Sequence, residues 1–280
     1  MSIGLPLSAT GPWLTRKTGE LAPSAVAAAA AAATAGLAYL DAKYHISKDI
    51  KTLRWKSWVN REFQKAAKQG RCSLYYFLEE TAKTRGQEEA LWSRLGCYTW
   101  TAALDRAHQY GQFFLTQGVK PGDLVALVMR NTPDFMLAWM GLFSIGAAPA
   151  MINHHLTGKA LLHCVGISTA KLMFVDGDDA MLERVNEVRE QLEGDGMKIV
   201  VLDDVRDRIY SSRAERPGDE LRRDVNGSSP MAIFYTSGTT GFPKGCILPT
   251  AYSFTLALGV SIPTAATTPT NSSLGKLTIR

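Results

Sequence analysis

The string YTSGTTGFPKG at residues 235–245 gathers the residue types that hold phosphate. Gly238, Gly241 and Gly245 open backbone angles closed to other residues, so successive N–H groups can converge on one anion. Thr236, Ser237, Thr239 and Thr240 add hydroxyl donors, and Lys244 adds a positive charge on a long stem. Pro243 stiffens the approach to that lysine. Such a loop suits the pyrophosphate end of a nucleotide. It is not a G-x-x-x-x-G-K-[S/T] loop, because Pro243 stands before Lys244, so kinase-type and GTPase-type chemistry is not indicated. The plainer alternative is a Gly/Thr-rich hairpin between two strands.

Other residues carry weaker chemistry. His154, His155, His163 and Cys164 are close enough to suggest metal ligands, but they fall around a predicted helix start and on its apolar face; no metal site is expected. Cys246 is expected as a small buried strand residue rather than a reactive thiol. The four cysteines, Cys72, Cys97, Cys164 and Cys246, lack CxxC spacing, which points to a reducing compartment. Asn226 and Asn271 head glycosylation sequons that a cytosolic body leaves unused.

The loop needs a scaffold, and the sequence before it alternates regularly. Thr99 can cap a helix that puts Trp100, Leu104, Ala107, Gly111, Phe114 and Leu115 on one face before Gly118. Strands are predicted at 124–129, 148–152, 171–176, 198–203 and 231–236, with helices at 131–146, 157–169 and 178–193 between them. Thr132 followed by Pro133 marks the start of the first of those helices. Strands and helices alternating at this spacing predict an α/β fold with a largely parallel sheet and right-handed crossovers. Residues 204–230 mix Arg, Asp and Glu with Ser, Gly and Pro and read as a solvated loop. The last predicted strand, MAIFYT, feeds directly into the glycine-rich string.

The N-terminal region has a different character. Residues 1–20 read as a disordered lead-in, and 21–42 as an Ala-rich helix. Leu21–Leu40 carries no charge, and eleven of its twenty residues are alanine. At about 1.5 Å per residue such a helix reaches about 30 Å, enough to cross a bilayer; a surface-lying anchor and a low-complexity exposed helix are the alternatives. A basic stretch, 43–72, follows, with nine Lys/Arg against two acids between Lys43 and Arg71. Next to an apolar run, this excess favours membrane lipid over nucleic acid as the anionic partner, and if the run spans the bilayer it places the main body in the cytosol. Trp55, Trp58 and Phe63 interleave with the basic residues, either at a headgroup layer or packed against the body of the protein.

YTSGTTGFPKG resembles the phosphate-binding signature of the adenylate-forming (AMP-binding) superfamily. The strings RCSLYYFLEE (71–80), YTW (98–100), GVKPGDLVALVMRNTPDF (118–135), WMGLFSIGAAPAMINHHL (139–156) and LLHCVGISTAKLMFVD (161–176) resemble its fatty-acid transport protein and very-long-chain acyl-CoA synthetase branch. The resemblance implies the N-terminal portion of the synthetase fold, with 73–249 as a partial adenylation domain. It implies ATP, Mg²⁺ and CoA as the small-molecule partners, a fatty acid as substrate, and a role in its uptake. Thr236, Ser237, Gly238, Thr239, Thr240, Gly241 and Lys244 would contact the β- and γ-phosphates. It also implies association with the endoplasmic reticulum, peroxisome, lipid droplet or plasma membrane. After Pro249 the resemblance fades into a Thr/Ser/Ala/Pro-rich tail, 250–280, and no catalytic residue can be placed. The family's activity is ATP-dependent conversion of long and very long fatty acids to acyl-CoA through acyl-AMP. The alternative for this chain is an incomplete, membrane-associated nucleotide-binding module.

Overall fold

The computed structural model describes residues 23–94, 96–237, 241–252, 254 and 277–278. The predicted lead-in and most of the predicted tail lie outside the described residues. The chain divides into two compact units, residues 1–55 and 56–280.

In the first unit α1 (Pro23–Tyr44) is a helix long and apolar enough to cross a membrane, and none of its apolar window is buried in protein. It starts with Pro23, where the missing N–H costs nothing. His45, at φ +54°, breaks the helical path, and α2 (Ile46–Lys68) begins beyond it. The Ser47 N–H donates to Asp41 Oδ1 at 2.5 Å across that break.

In the second unit the last turns of α2 bury Val59 and set Phe63 edge-on to Phe254, with ring centroids 5.1 Å apart. Phe63 therefore faces protein rather than a headgroup layer. Next come α3 (Tyr75–Arg85) and an antiparallel hairpin of β1 (Glu89–Ser93) and β2 (Gly96–Thr99). The helix α4 (Trp100–Thr116) follows, with the Thr99 hydroxyl accepting from Ala102 N–H at 3.2 Å, the cap that the sequence predicts.

The predicted alternation then runs through β3 (Leu124–Val128), α5 (Pro133–Ser144), β4 (Ala148–Met151), α6 (Gly158–Ser168) and β5 (Leu172–Val175). It continues with α7 (Asp179–Asn186), α8 (Arg189–Gly194), β6 (Lys198–Val201), α9 (Leu202–Ser211), a 3₁₀ turn (Asp219–Arg222), β7 (Pro230–Thr236) and β8 (Lys244–Pro249). A short β9 (Leu277–Thr278) pairs in parallel with β1.

The main sheet has the order β6-β5-β3-β4-β7-β8; every pair in it is parallel except the last. The chain steps from β3 to β4 in one direction, then back across β3 to β5 and β6. With one crossover hand, that reversal must place the connecting helices on opposite faces. They are so placed. Val125, Leu127, Leu172 and Phe174 share a core with α4, α5 and α9. Ala126, Val128, Met173 and Val175 share the other core with α6, α7 and α8. Because side chains alternate along a strand, each strand feeds both layers, and the strands read as continuous apolar runs.

Two regions depart from the sequence reading. The predicted helix 178–193 is two helices, broken at Val188, whose side chain turns into the core. The predicted loop 204–230 contains α9 and the 3₁₀ turn, because Leu202, Val205 and Ile209 bury one stripe of an otherwise charged helix. The 3₁₀ turn is held by a fully buried Arg222, which donates to Ser144 O, to Pro217 O at 3.2 Å and to Asp219 Oδ1 at 2.7 Å. Its guanidinium lies 4.2 Å from the Tyr75 ring centroid. Gly146, at φ +72°, lets the turn come this close, since a Cβ there would stand 2.2 Å from Leu221 O.

Two carboxylates belong to the same knot. Burial raises the Glu79 carboxyl, but the Arg216 guanidinium at 2.6 Å outweighs it and leaves the group below its ordinary 4.5. Asp219 is pulled below its ordinary 3.8, chiefly by hydrogen bonding to Arg216. Both values are lower folded than unfolded, so the stability they contribute is present above the ordinary values and is lost as pH falls through the lowered ones. The melting temperature should therefore drop as pH falls below about 4.5, and less steeply in Glu79→Gln, as thermal scans across pH 7 to 3 would show.

Candidate functional site

In an open parallel sheet, ligands bind beyond the carboxyl ends of the strands. At that edge β7 ends in Thr236, and the chain returns antiparallel as β8. Thr236 pairs with Lys244 and Tyr235 with Gly245, so β7 and β8 form a hairpin. The glycine-rich string is thus carried on a hairpin between two strands, the element that the plainer reading of it expects.

Directly paired residues share a face. Tyr235 and Gly245 lie toward α6: the Tyr235 hydroxyl donates to Cys164 O at 2.8 Å, and a Cβ on Gly245 would meet Ile167 Cγ2 at 2.9 Å. Burial pushes the Tyr235 phenol above its ordinary value, so it stays protonated and keeps donating. Thr236 and Lys244 occupy the opposite face, and both are exposed. Phe234, which shares that face, packs against Trp139 of α5 with centroids 6.2 Å apart. Ser237 and Gly241 are exposed as well, and Gly241 at φ +136° uses a backbone conformation that favours glycine. Gly238, Thr239 and Thr240 lie outside the described residues. Among the described members of the predicted set, Thr236, Ser237, Gly241 and Lys244 are gathered at one end of one hairpin. Lys244 makes no ion pair among the described residues.

The neighbouring strand ends add charge. Beyond β3, Arg130 Nε is 3.0 Å from Asp176 Oδ2, and its Nη1 is 3.2 Å from Asp178 Oδ2, which ties the end of β3 to the end of β5. Beyond β4, the His154 and His155 rings lie 4.1 Å apart, and Arg184 Nη1 donates to His154 O. Burial lowers the His154 imidazole below its ordinary 6.5, and His155 and Arg184 add to the effect. His163 is exposed rather than on the apolar face of α6, whereas Cys164 is buried. Among the described residues, no group of three or more His, Cys, Asp or Glu side chains gathers as a metal site. Cys246 is on a strand as predicted, but it is exposed: β8 is the sheet edge, and Lys244 to Ile247 all face solvent.

Two clefts of about 170 and 150 Å³ open at the other end of the strands, around Leu124, Leu172 and Lys198 and around Ala148 and Met231. They are small for a nucleotide, whose sites run to about 300 Å³ or more.

The residues that the sequence reading missed are Arg130 and Arg222. A lone Arg after an apolar strand was the signal for the first. For the second there was no signal beyond its place in a charged stretch.

A family model described as AMP-binding enzyme matches residues 78–278. The chain is 39% identical over 230 residues to "Isopenicillin N epimerase component 1" of Hapsidospora chrysogena, an alignment covering 82% of this chain and 32% of that protein. It is 27% identical over 238 residues to "Very long-chain fatty acid transport protein" of Cochliobolus heterostrophus, covering 83% and 36%. The chain thus spans about a third of the length of these curated relatives. Among solved structures, "Mycobacterium tuberculosis fatty acyl CoA synthetase" superimposes with a TM-score of 0.57 at 21% identity, covering 64% of this chain and 35% of that one. This last likeness establishes the fold.

Proposed function

Because the chain belongs to the AMP-binding enzyme family, we propose that it serves ATP-dependent activation of long or very long fatty acids, through acyl-AMP, to acyl-CoA. The observation that carries this reading is the glycine-rich hairpin at the carboxyl end of β7, with Thr236 and Lys244 exposed on one face. The names of the fatty-acid transport relatives support the acid.

In the first step a carboxylate oxygen attacks the α-phosphorus of ATP, and pyrophosphate leaves. In the second the CoA sulfur attacks the acyl carbonyl, and AMP leaves. The work proposed for this stretch is electrostatic. Backbone N–H groups of the loop, the hydroxyls of Thr236, Ser237, Thr239 and Thr240, and the Lys244 ammonium hold the β- and γ-phosphates as charge builds on them. Gly238 and Gly241 let the backbone close on the anion. Mg²⁺ is proposed to arrive on the phosphates of the nucleotide. No side chain of this stretch is assigned to the acyl or thiol transfer.

A role at membranes is proposed as well, supported by α1 and the basic α2 that follows it; the names of the fatty-acid transport relatives support uptake as its purpose. If α1 spans the bilayer, the chain stays with the membrane pellet after alkaline carbonate extraction, and deletion of residues 23–44 releases it. Release of the intact chain contradicts a spanning α1.

A second reading has one specific support. The 39% relative is named for isopenicillin N, itself a carboxylic acid, which would be activated in place of a fatty acid. ATP–pyrophosphate exchange by the chain in membranes lacking other synthetases separates the readings. Exchange promoted by long fatty acids supports the first, and exchange promoted by isopenicillin N alone supports the second. ATP binding without exchange leaves a membrane-associated nucleotide-binding module.

A further inference from the structure

We propose that His163 is a positioning residue for the phosphate loop: from α6 it pins the returning limb of the hairpin immediately before Lys244. His163 Nε2 lies 3.1 Å from Pro243 O. A carbonyl can only accept, so Nε2 carries the proton. The same ring stacks on Phe242, with centroids 4.9 Å apart and planes 29° from parallel. Phe242 is half exposed and Pro243 half-buried, so the imidazole is what fixes this turn from outside.

Two other residues of α6 also meet the hairpin. Ile167 lies at i+4 from His163 and i+3 from Cys164, so the three fall within about one turn of the helix. Cys164 O accepts from Tyr235 on the outgoing limb at 2.8 Å. Ile167 packs where Gly245 lacks a side chain on the returning limb. Both limbs are therefore held from one face, while Thr236 and Lys244 stay free on the other. An anion-binding loop gains affinity when its donors need no ordering on binding. His163 supplies part of that order at the joint between Gly241, the residue at φ +136°, and Lys244.

This inference rests on the phosphate-loop reading, and its test separates the two. In His163→Ala the amides of residues 241, 242 and 244–246 should exchange with deuterium faster than in the wild type, with exchange in β3 to β5 unchanged. Because His163 is exposed, the melting temperature should hold. The dissociation constant for ATP should rise about three- to tenfold, the scale of one hydrogen bond and its ordering. His163→Gln keeps a donor near the Nε2 position and should recover most of both effects, which a change in bulk packing would not show. Unchanged exchange at 241–246 in the alanine variant overturns the proposal, as does a glutamine variant no better than alanine. If the wild type binds no ATP, the phosphate-loop reading fails, and the exchange comparison alone decides the role of His163.

Discussion

Lys244→Ala is expected to weaken ATP binding by on the order of 10- to 100-fold without unfolding the chain. A charge-assisted hydrogen bond contributes about 1.5–3 kcal/mol, and about 1.4 kcal/mol is a factor of ten. Lys244 is exposed at the start of β8, and its backbone pairing with Thr236 does not depend on its side chain. The melting temperature should therefore stay within about a degree, as for surface substitutions generally. The gap between wild type and variant should narrow at high salt, because the contact is screened. Titration with ATP at two salt concentrations checks both points. AMP, which lacks the β- and γ-phosphates, should bind wild type and variant alike. A variant with wild-type ATP affinity would remove Lys244 from the site.

Arg222→Ala is expected to lose about 3 kcal/mol of unfolding free energy, the lower end of the cost of stripping one partner from a buried charged network. The guanidinium is fully buried, and its loss removes the side-chain donor to Ser144 O and the nearer cation from the Tyr75 ring, while Pro217 O and Tyr75 keep only the longer contacts of Arg216. The lower end applies because Asp219 is 62% exposed and can turn to water. For a unit of this size that is roughly 6–12 °C in melting temperature. Asp219→Asn should cost less, because the amide oxygen can still accept from Arg222 and Arg216 and only the countercharge to the buried guanidinium is lost. The knot lies just before β7, so its loss should also loosen the strand that delivers Thr236 to the site. Denaturant unfolding of the two variants side by side tests the argument; equal losses would contradict it.

The alternation of strands and helices was legible because it rests on local chemistry. Thr99 and Thr132 cap the helices that their types and positions predict, and the apolar runs at 124–129 and 171–176 become strands buried on both faces. What was not legible depends on partners far along the chain. Cys246 reads as a core residue until β8 proves to be the sheet edge. Arg222 reads as one more charge in a solvated stretch until Ser144 and Tyr75 close around it. The α9 case is different: Leu202, Val205 and Ile209 were already spaced as a helix stripe, and the surrounding charge hid them. His163 was read as a candidate metal ligand, whereas its observed partners, Phe242 and Pro243, belong to the loop itself. No local pattern announces a contact across eighty residues.

The central claim is that residues 236–244 hold the β- and γ-phosphates of a nucleotide, and amide hydrogen exchange of the 280-residue chain tests it most directly. With ATP added, amides of residues 236–245 should slow markedly, inorganic pyrophosphate should slow the same amides, and AMP should leave them unchanged. Protection that appears with AMP as strongly as with ATP, or that falls outside this hairpin altogether, would contradict the account.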